Sequence, residues 1–345
     1  MVPIAKLSQP TWTDRTRRLA IWCSILATAL LLWVAGGLPA PEPLARLATQ
    51  LQGPVTIFLG IFIEALPFLL AGVLASSAIR LFVSSAQVRR LSPRSPILAA
   101  LAGSLLGLAF PVCECGSVPT ARRLLAKGAP LPLGIAFVLA APAVNPVVIA
   151  STWVAFGGRP EIVVGRVVLT VLIAAAVGLV LGAGPRPHEL LAPTDRPYDD
   201  AHDHDHDHSG AGRLRAILEH ASEEFFEMGR YLVLGALIAA TLQTVIPRST
   251  LLALGQGPVV SVIALMVLAV VLSICSTVDA FVALAFASSF LPGALLAFLV
   301  FGPMVDIKSV LMFSTTFRRR TVALMVLLTF QMTLLAAVII NLYLR

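Results

Sequence analysis

Long apolar runs recur along this chain, separated by short clusters of arginine and lysine. They cover about 19–38, 54–79, 131–157, 161–183, 216–246, 293–316 and 321–344. Each is about 20 residues or longer, enough for a helix to cross a hydrocarbon core about 30 Å thick. Two further apolar stretches, about 97–127 and 258–291, are interrupted near their middles, at Cys113–Pro119 and at Ser273–Asp279. The pattern predicts an all-α polytopic membrane protein with two discontinuous, re-entrant helical hairpins. The run at 19–38 lacks a small-residue cleavage site, so it reads as an extra N-terminal span and not as a cleaved signal.

One segment departs from both patterns. Residues 184–213 are polar and contain His202, His204, His206 and His208 alternating with aspartates. That composition cannot bury a core, so a disordered linker is expected. The resulting division is a tail at 1–18, a span at 19–38, a first half at 51–183, the linker at 184–213 and a second half at 214–345.

Charge sets the expected topology. Arg15, Arg17 and Arg18 precede the first span, which puts the N-terminus in the cytoplasm. Arg80, Arg89, Arg90 and Arg94 follow the second. Arg122, Arg123 and Lys127 follow the Cys113–Pro119 break. They stay on the cytoplasmic side if 97–127 enters, turns at the cysteines and returns. The linker is then cytoplasmic, 258–291 enters from outside, and Arg318, Arg319 and Arg320 fall inside. The chain is thus expected to be a multi-pass protein of the inner (plasma) membrane. Charge does not decide whether the hairpin arms cross completely.

The halves carry matching fragments in the same order. Glu64 to Gly72 matches Glu227 to Gly235, eight steps in both. Cys115-Gly116-Ser117-Val118-Pro119 aligns with Cys275-Ser276-Thr277-Val278-Asp279, and Ala141-Pro142-Ala143-Val144-Asn145 with Gly302-Pro303-Met304-Val305-Asp306. The first half starts on an inward-running span and the second on an outward-running one. That is an inverted-topology repeat, as in many secondary transporters.

Composition removes other classes. The chain is 58% hydrophobic and 12% charged with mean hydropathy +0.91, about half the charge of a soluble domain. Its net charge of +7 lies in loop clusters, so it indicates membrane topology and not nucleic-acid binding. Four cysteines, three of them inside apolar sequence, are no disulfide framework. No phosphate-cradling GxxxxGK[ST] loop is present, which argues against ATP hydrolysis. The expectation is a transporter without a cofactor, not an enzyme.

The candidate chemistry sits at the breaks. Cys113 and Cys115 can present soft thiolates, which select Cu(I), Zn(II) or similar centres over hard cations. On a regular helix they would point about 200° apart; in an unwound turn they can converge, and Cys275 can add a third sulfur. The competing structural reading is that cysteine fills tight helix breaks as a small apolar residue, which is the preferred reading for Cys23. Glu114 can ligate a cation, carry a proton or sit favourably at a helix N-terminus. Asn145 and Asp306 follow prolines that free carbonyls one turn back. Asp306 with Lys308 forms an oppositely charged pair inside a span, expected to pair internally or with the other hairpin. Asp279 and Glu64 are further intramembrane acids, candidates for gating or proton coupling. The four linker histidines can bind metal or serve as a solubilising spacer.

Phe-Pro-Val-Cys-Glu-Cys-Gly-Ser-Val-Pro with the following Arg-Arg-Leu-Leu-Ala-Lys-Gly-Ala-Pro (110–130) resembles the ArsP-type predicted permease family. So do Leu-Ala-Ala-Pro-Ala-Val-Asn-Pro (139–146), Cys-Ser-Thr-Val-Asp-Ala-Phe-Val-Ala (275–283) and Phe-Gly-Pro-Met-Val-Asp-Ile-Lys (301–308). The resemblance covers roughly 50–345. It implies Cys113, Cys115, Asn145, Cys275, Asp279, Asp306 and Lys308 as signature positions. Val278 stands where a small or acidic residue is the familiar form. The family includes exporters of trivalent organoarsenicals and relatives assigned to copper and zinc efflux, some found with a partner membrane or periplasmic protein. The resemblance thus implies a permease in the lipid bilayer exporting a thiophilic metal or metalloid species by alternating access. Self-association stays open. Two other classes also stay open: a permease for a small sulfur-containing or other organic solute, and a membrane thiol redox or assembly factor.

Overall fold

The computed structural model describes residues 42–109, 112–157, 159–182, 190–191, 210–245 and 257–343. The tail, the run at 19–38 with Cys23, Phe110-Pro111 and the histidine tract lie outside the described residues. Residues 53–345 form one compact unit, and residues 1–52 form another.

Thirteen helices are described, and the described residues contain no β-strand beyond an isolated bridge between Leu191 and Phe317. They are α1 (Glu42–Phe82), α2 (Ser85–Leu91), α3 (Pro96–Leu106), α4 (Glu114–Ala126), α5 (Leu131–Val144), α6 (Pro146–Ala155) and α7 (Pro160–Gly182). The second half continues with α8 (Gly210–Val245), α9 (Val260–Leu272), α10 (Asp279–Leu284), α11 (Pro292–Met304), α12 (Ile307–Phe313) and α13 (Arg319–Tyr343). Among the described residues, six stretches are long and apolar enough to cross a membrane: Leu51–Ile79, Leu131–Ala155, Pro160–Gly182, Ala221–Val245, Pro292–Phe313 and Arg319–Tyr343. The protein is an all-helical, polytopic membrane protein.

Two of those six spans are broken, for a stated local reason in each case. Asn145 precedes Pro146, and a residue before proline is pushed out of the helical region. It takes φ −67°, ψ 154°, and its side chain then caps α6 by accepting from the Val148 amide at 2.9 Å. Pro146 supplies no N–H to the Pro142 carbonyl, and Asn145 Nδ2 donates to that oxygen instead at 3.5 Å. At the second break Val305 and Asp306 are both extended. Asp306 accepts from the Ser309 amide at 2.6 Å while Ser309 Oγ accepts from the Asp306 amide at 2.9 Å, a reciprocal capping box.

The broken spans are the centre of the fold. All of α5 and nearly all of α11 are buried, whereas α1 and α13 expose most of their apolar surface, as lipid-facing helices do. Close approach replaces bulk at the centre. An added Cβ at Gly103 would meet the Leu133 carbonyl at 2.2 Å, and one at Gly178 the Pro132 carbonyl at 2.7 Å. These glycines let α3 and α7 lie directly on α5.

The hairpin arms are short. With 11 residues in α3, 13 in α4 and 13 in α9, each reaches only about 16–20 Å at 1.5 Å per residue, well short of a 30 Å core. Both ends of the first hairpin meet the same neighbourhood, where Val88, Ala99, Ala129 and Leu133 form a small cluster and Lys127 Nζ donates to the Val83 carbonyl at 2.5 Å. Arg318 donates to the carbonyls of Leu190 and Leu191. Asn341 joins Gly293 and Pro258 at the opposite end.

Candidate functional site

The first break ends at Cys113, the extended residue before α4. The Gly116 and Ser117 amides donate to its carbonyl at 3.1 and 3.0 Å. This tight closure places Cys115 in the first turn of α4, within electrostatic range of Cys113. Both are free and buried. Cys113 lies just outside α4 and Cys115 in its first turn, so the break brings both to one place. Pro119, inside α4, supplies no N–H to the Cys115 carbonyl one turn back. Thr120 Oγ1 donates to the Gly116 carbonyl at 2.9 Å and Ser76 Oγ to the Pro119 carbonyl at 3.3 Å, so hydroxyls bond neighbouring carbonyls of this turn but not the one that Pro119 frees.

Glu114 is the first residue of α4, where the helix dipole favours a carboxylate. Its Oε1 accepts from Lys308 Nζ at 3.2 Å, while its Oε2 is buried without a hydrogen-bond partner. Lys308 also lies 3.4 Å from Asp306 Oδ2. Both alternatives for the Asp306–Lys308 pair thus hold at once: it is paired internally and with the first hairpin. Lys308 is only 1% exposed, and a lone cation there would be costly. Two carboxylates around one ammonium leave one formal negative charge in this cluster.

Cys275, at the second break, is buried and within electrostatic range of Glu114, Cys113 and Lys308. Its carbonyl accepts from the Val278 and Asp279 amides at 3.0 and 3.1 Å. The preceding Ser273 has φ +43°, a left-handed conformation uncommon for a side-chain-bearing residue. Among the described residues, no three His, Cys, Asp or Glu side chains are grouped to hold a metal ion together. Cys113 and Cys115 sit at one break and Cys275 at the other, without a closed three-ligand cage among the described residues.

Asn145 Nδ2 also donates to the Val112 carbonyl at 3.3 Å, tying the α5–α6 break to the residue before Cys113. Glu64, half-buried on α1, lies within electrostatic range of Lys308 and has one buried oxygen without a hydrogen-bond partner. Glu227 accepts from Arg122 at 3.1 Å, and Glu224 lies 3.9 Å from Arg123. The Ser117 hydroxyl donates to the Glu114 carbonyl at 3.1 Å. The linker histidines lie outside the described residues.

Asp279 has a partner that the sequence reading missed. Arg166, in α7 and 1% exposed, donates to both Asp279 oxygens at 2.9 and 2.7 Å and to Thr152 Oγ1 at 2.9 Å. Asp306 and Lys308 are therefore not the sole oppositely charged pair within the spans. The available signal was an arginine inside an otherwise apolar stretch, expensive at that depth unless paired.

An apolar cavity of about 600 Å³ lies among α8, α9, α11, α12 and α13. Ile238, Met266, Val270, Phe301 and Phe330 are among its walls, and Asp306 is its one charged lining residue.

The sequence matches the ArsP_1 family, described as a predicted permease, over residues 50–342. It is 47% identical over 271 residues to UPF0718 protein YcgR of Bacillus subtilis (strain 168), covering 79% of this chain and 91% of that protein. It is 35% identical over 269 residues to a putative two-component membrane permease complex subunit of Streptococcus mutans serotype c (strain ATCC 700610 / UA159), covering 77% of this chain and 87% of that one. No solved structure matches. The match spans both broken hairpins and the residues that line them, and the chain belongs to the ArsP_1 family of predicted permeases.

Proposed function

We propose that this permease exports a thiophilic metal or metalloid species, bound by Cys113 and Cys115 with Cys275 approaching as a third sulfur during transport. The observation that carries this reading is the pair of free, buried cysteines that flank Glu114 at a helix break. Two thiols bound to methylarsenite release its two hydroxyl ligands as water and form a neutral adduct; bound to Zn(II) or Cu(I) they release two protons, leaving a neutral dithiolate or one negative charge respectively. The Glu114–Lys308–Asp306 cluster beside them can take up the protons that the thiols release.

The transport cycle in this reading is alternating access between two inverted repeats. Its support is the repeated order of a half-length arm, a break, a second arm and a proline-broken span in each half. Asn145 and Asp306 line the site as the caps that end those spans, with Lys308 and Asp279 in gating roles. Glu64 is the proton carrier, supported by its buried oxygen and its range to Lys308. The protein would lie in the plasma membrane with a cytoplasmic N-terminus, driven by the proton gradient or by a partner. The name of the Streptococcus mutans relative, a complex subunit, supports a partner membrane protein.

The test is accumulation in everted vesicles. Wild-type vesicles are expected to accumulate methylarsenite, Zn(II) or Cu(I), and Cys113→Ser/Cys115→Ser vesicles none of the three. Equal uptake of all three by wild type and the double serine variant refutes the assignment. Deleting residues 199–208 tests the histidine tract separately: unchanged export and unchanged metal sensitivity make it a spacer.

A further inference from the structure

The thiol site leaves one buried ionic group unused, Arg166 with Asp279. This pair crosses between the halves, since Arg166 belongs to α7 and Asp279 begins α10. It is planar and bidentate, at 2.9 and 2.7 Å, the most directional form of ion pair a protein makes. Thr152 of α6 accepts a third bond from the same guanidinium at 2.9 Å, so three helices meet there.

Asp279 has a second role through its backbone. Its amide donates to the Cys275 carbonyl at 3.1 Å. One residue therefore closes the turn that carries Cys275 and, through its side chain, anchors that turn to the first half. The first hairpin has the converse arrangement. Glu114 begins the arm after Cys113, and Lys308 of the second half holds its carboxylate at 3.2 Å. Each cysteine-bearing turn thus has a carboxylate at the start of its second arm, and each carboxylate is held by a cation from the opposite half. The two contacts differ in stiffness. Lys308 is one ammonium shared by two carboxylates, whereas Arg166 holds Asp279 in a fixed fork.

Stability alone does not explain the arrangement. Replacing a buried ion pair by apolar groups of similar volume is often neutral or stabilising. We propose that Arg166 is a positioning residue: its clasp on Asp279 holds the Cys275 turn closed against the first half, and its release exposes Cys275. This rests on the alternating-access reading for its role in a cycle, but the closure itself does not depend on the cargo.

The test uses the full-length protein in native membranes with one thiol at a time. In one background Cys23, Cys113 and Cys115 are serine and Cys275 remains; in the other Cys115 alone remains. The readout is the alkylation rate with N-ethylmaleimide. Both thiols start buried. Arg166→Gln is expected to speed Cys275 labelling about ten-fold or more, because losing a charge-assisted bond shifts a closed–open equilibrium by at least that factor. Cys115 labelling should change by less than about two-fold if the opening is local. Lys308→Gln should reverse the preference. Arg166→Met/Asp279→Leu leaves no unpaired charge and keeps the test valid if the single variant fails to fold; it should also release Cys275. Wild-type labelling of Cys275 in that double variant overturns the proposal, as does a parallel rise at both cysteines. Selective release without uptake of any tested metal species would sink the cargo assignment and leave the clasp standing.

Discussion

Gly72 offers a direct test of how the thiol turn is seated. A Cβ added there would lie 2.1 Å from the Gly116 Cα and 3.2 Å from the Gly116 carbonyl carbon. Carbon atoms in contact need about 3.5–4.0 Å, so Gly72→Ala demands that α1 and α4 separate by about 1.5 Å. Neither side can yield by rotating a side chain, because both surfaces are backbone. Overpacking usually costs about 1–3 kcal/mol, and a backbone-to-backbone clash belongs at the upper end. Gly229 is the internal control. A Cβ there meets nothing within 4 Å, so Gly229→Ala should gain up to about 1 kcal/mol of helix propensity. The assay is thermal unfolding of the two purified variants in the same detergent, paired with Cys115 alkylation. Gly72→Ala is expected to melt at least about 5 °C below Gly229→Ala and to label faster at Cys115, because Gly116 follows that cysteine directly. Equal melting temperatures and equal labelling would refute the close-approach argument.

Other expectations follow from the same contacts. Lys308→Met leaves Glu114 and Asp306 buried without their cation and should cost about 3–5 kcal/mol. Adding Glu114→Gln should recover part of it, with a coupling of about 1–3 kcal/mol in a double-mutant cycle of unfolding free energies; additive losses would contradict the pairing. Asn145→Ala removes a helix cap and the bond to the Val112 carbonyl. It should lower unfolding free energy by about 1–2 kcal/mol. Asn145→Asp keeps the acceptor for Val148 and loses the donor, so it should fall between. Ser273 sits at φ +43°, ψ 38°, so Ser273→Val should lose about 1–2 kcal/mol relative to Ser273→Gly, measured by denaturant unfolding; indistinguishable midpoints would count against strain at that turn.

The spans were legible because a bilayer filters sequence by length and polarity, and Pro292–Phe313 or Arg319–Tyr343 pass that filter without reference to any other helix. The breaks were legible because proline, glycine and cysteine interrupt apolar runs at Cys113–Pro119 and Ser273–Asp279. The Asn145-Pro146 pair announced a break but not its capping. Arg166 was missed because it sits inside a long apolar span, and its partner Asp279 lies 113 positions away. Glu64 was read as an intramembrane acid without an assigned partner, and the fold brings it within range of Lys308.

By itself, the amino-acid sequence determined that this chain is a polytopic helical membrane protein with two interrupted hairpins and thiols at their turns. Those properties depend on local hydropathy and on which residues can donate a backbone hydrogen bond. Only the tertiary structure decided which charge holds which. Lys308 reaches back to Glu114 and Arg166 forward to Asp279 because the fold packs helices distant in sequence side by side. In a medium that cannot solvate an unpaired ion, that proximity selects the partners.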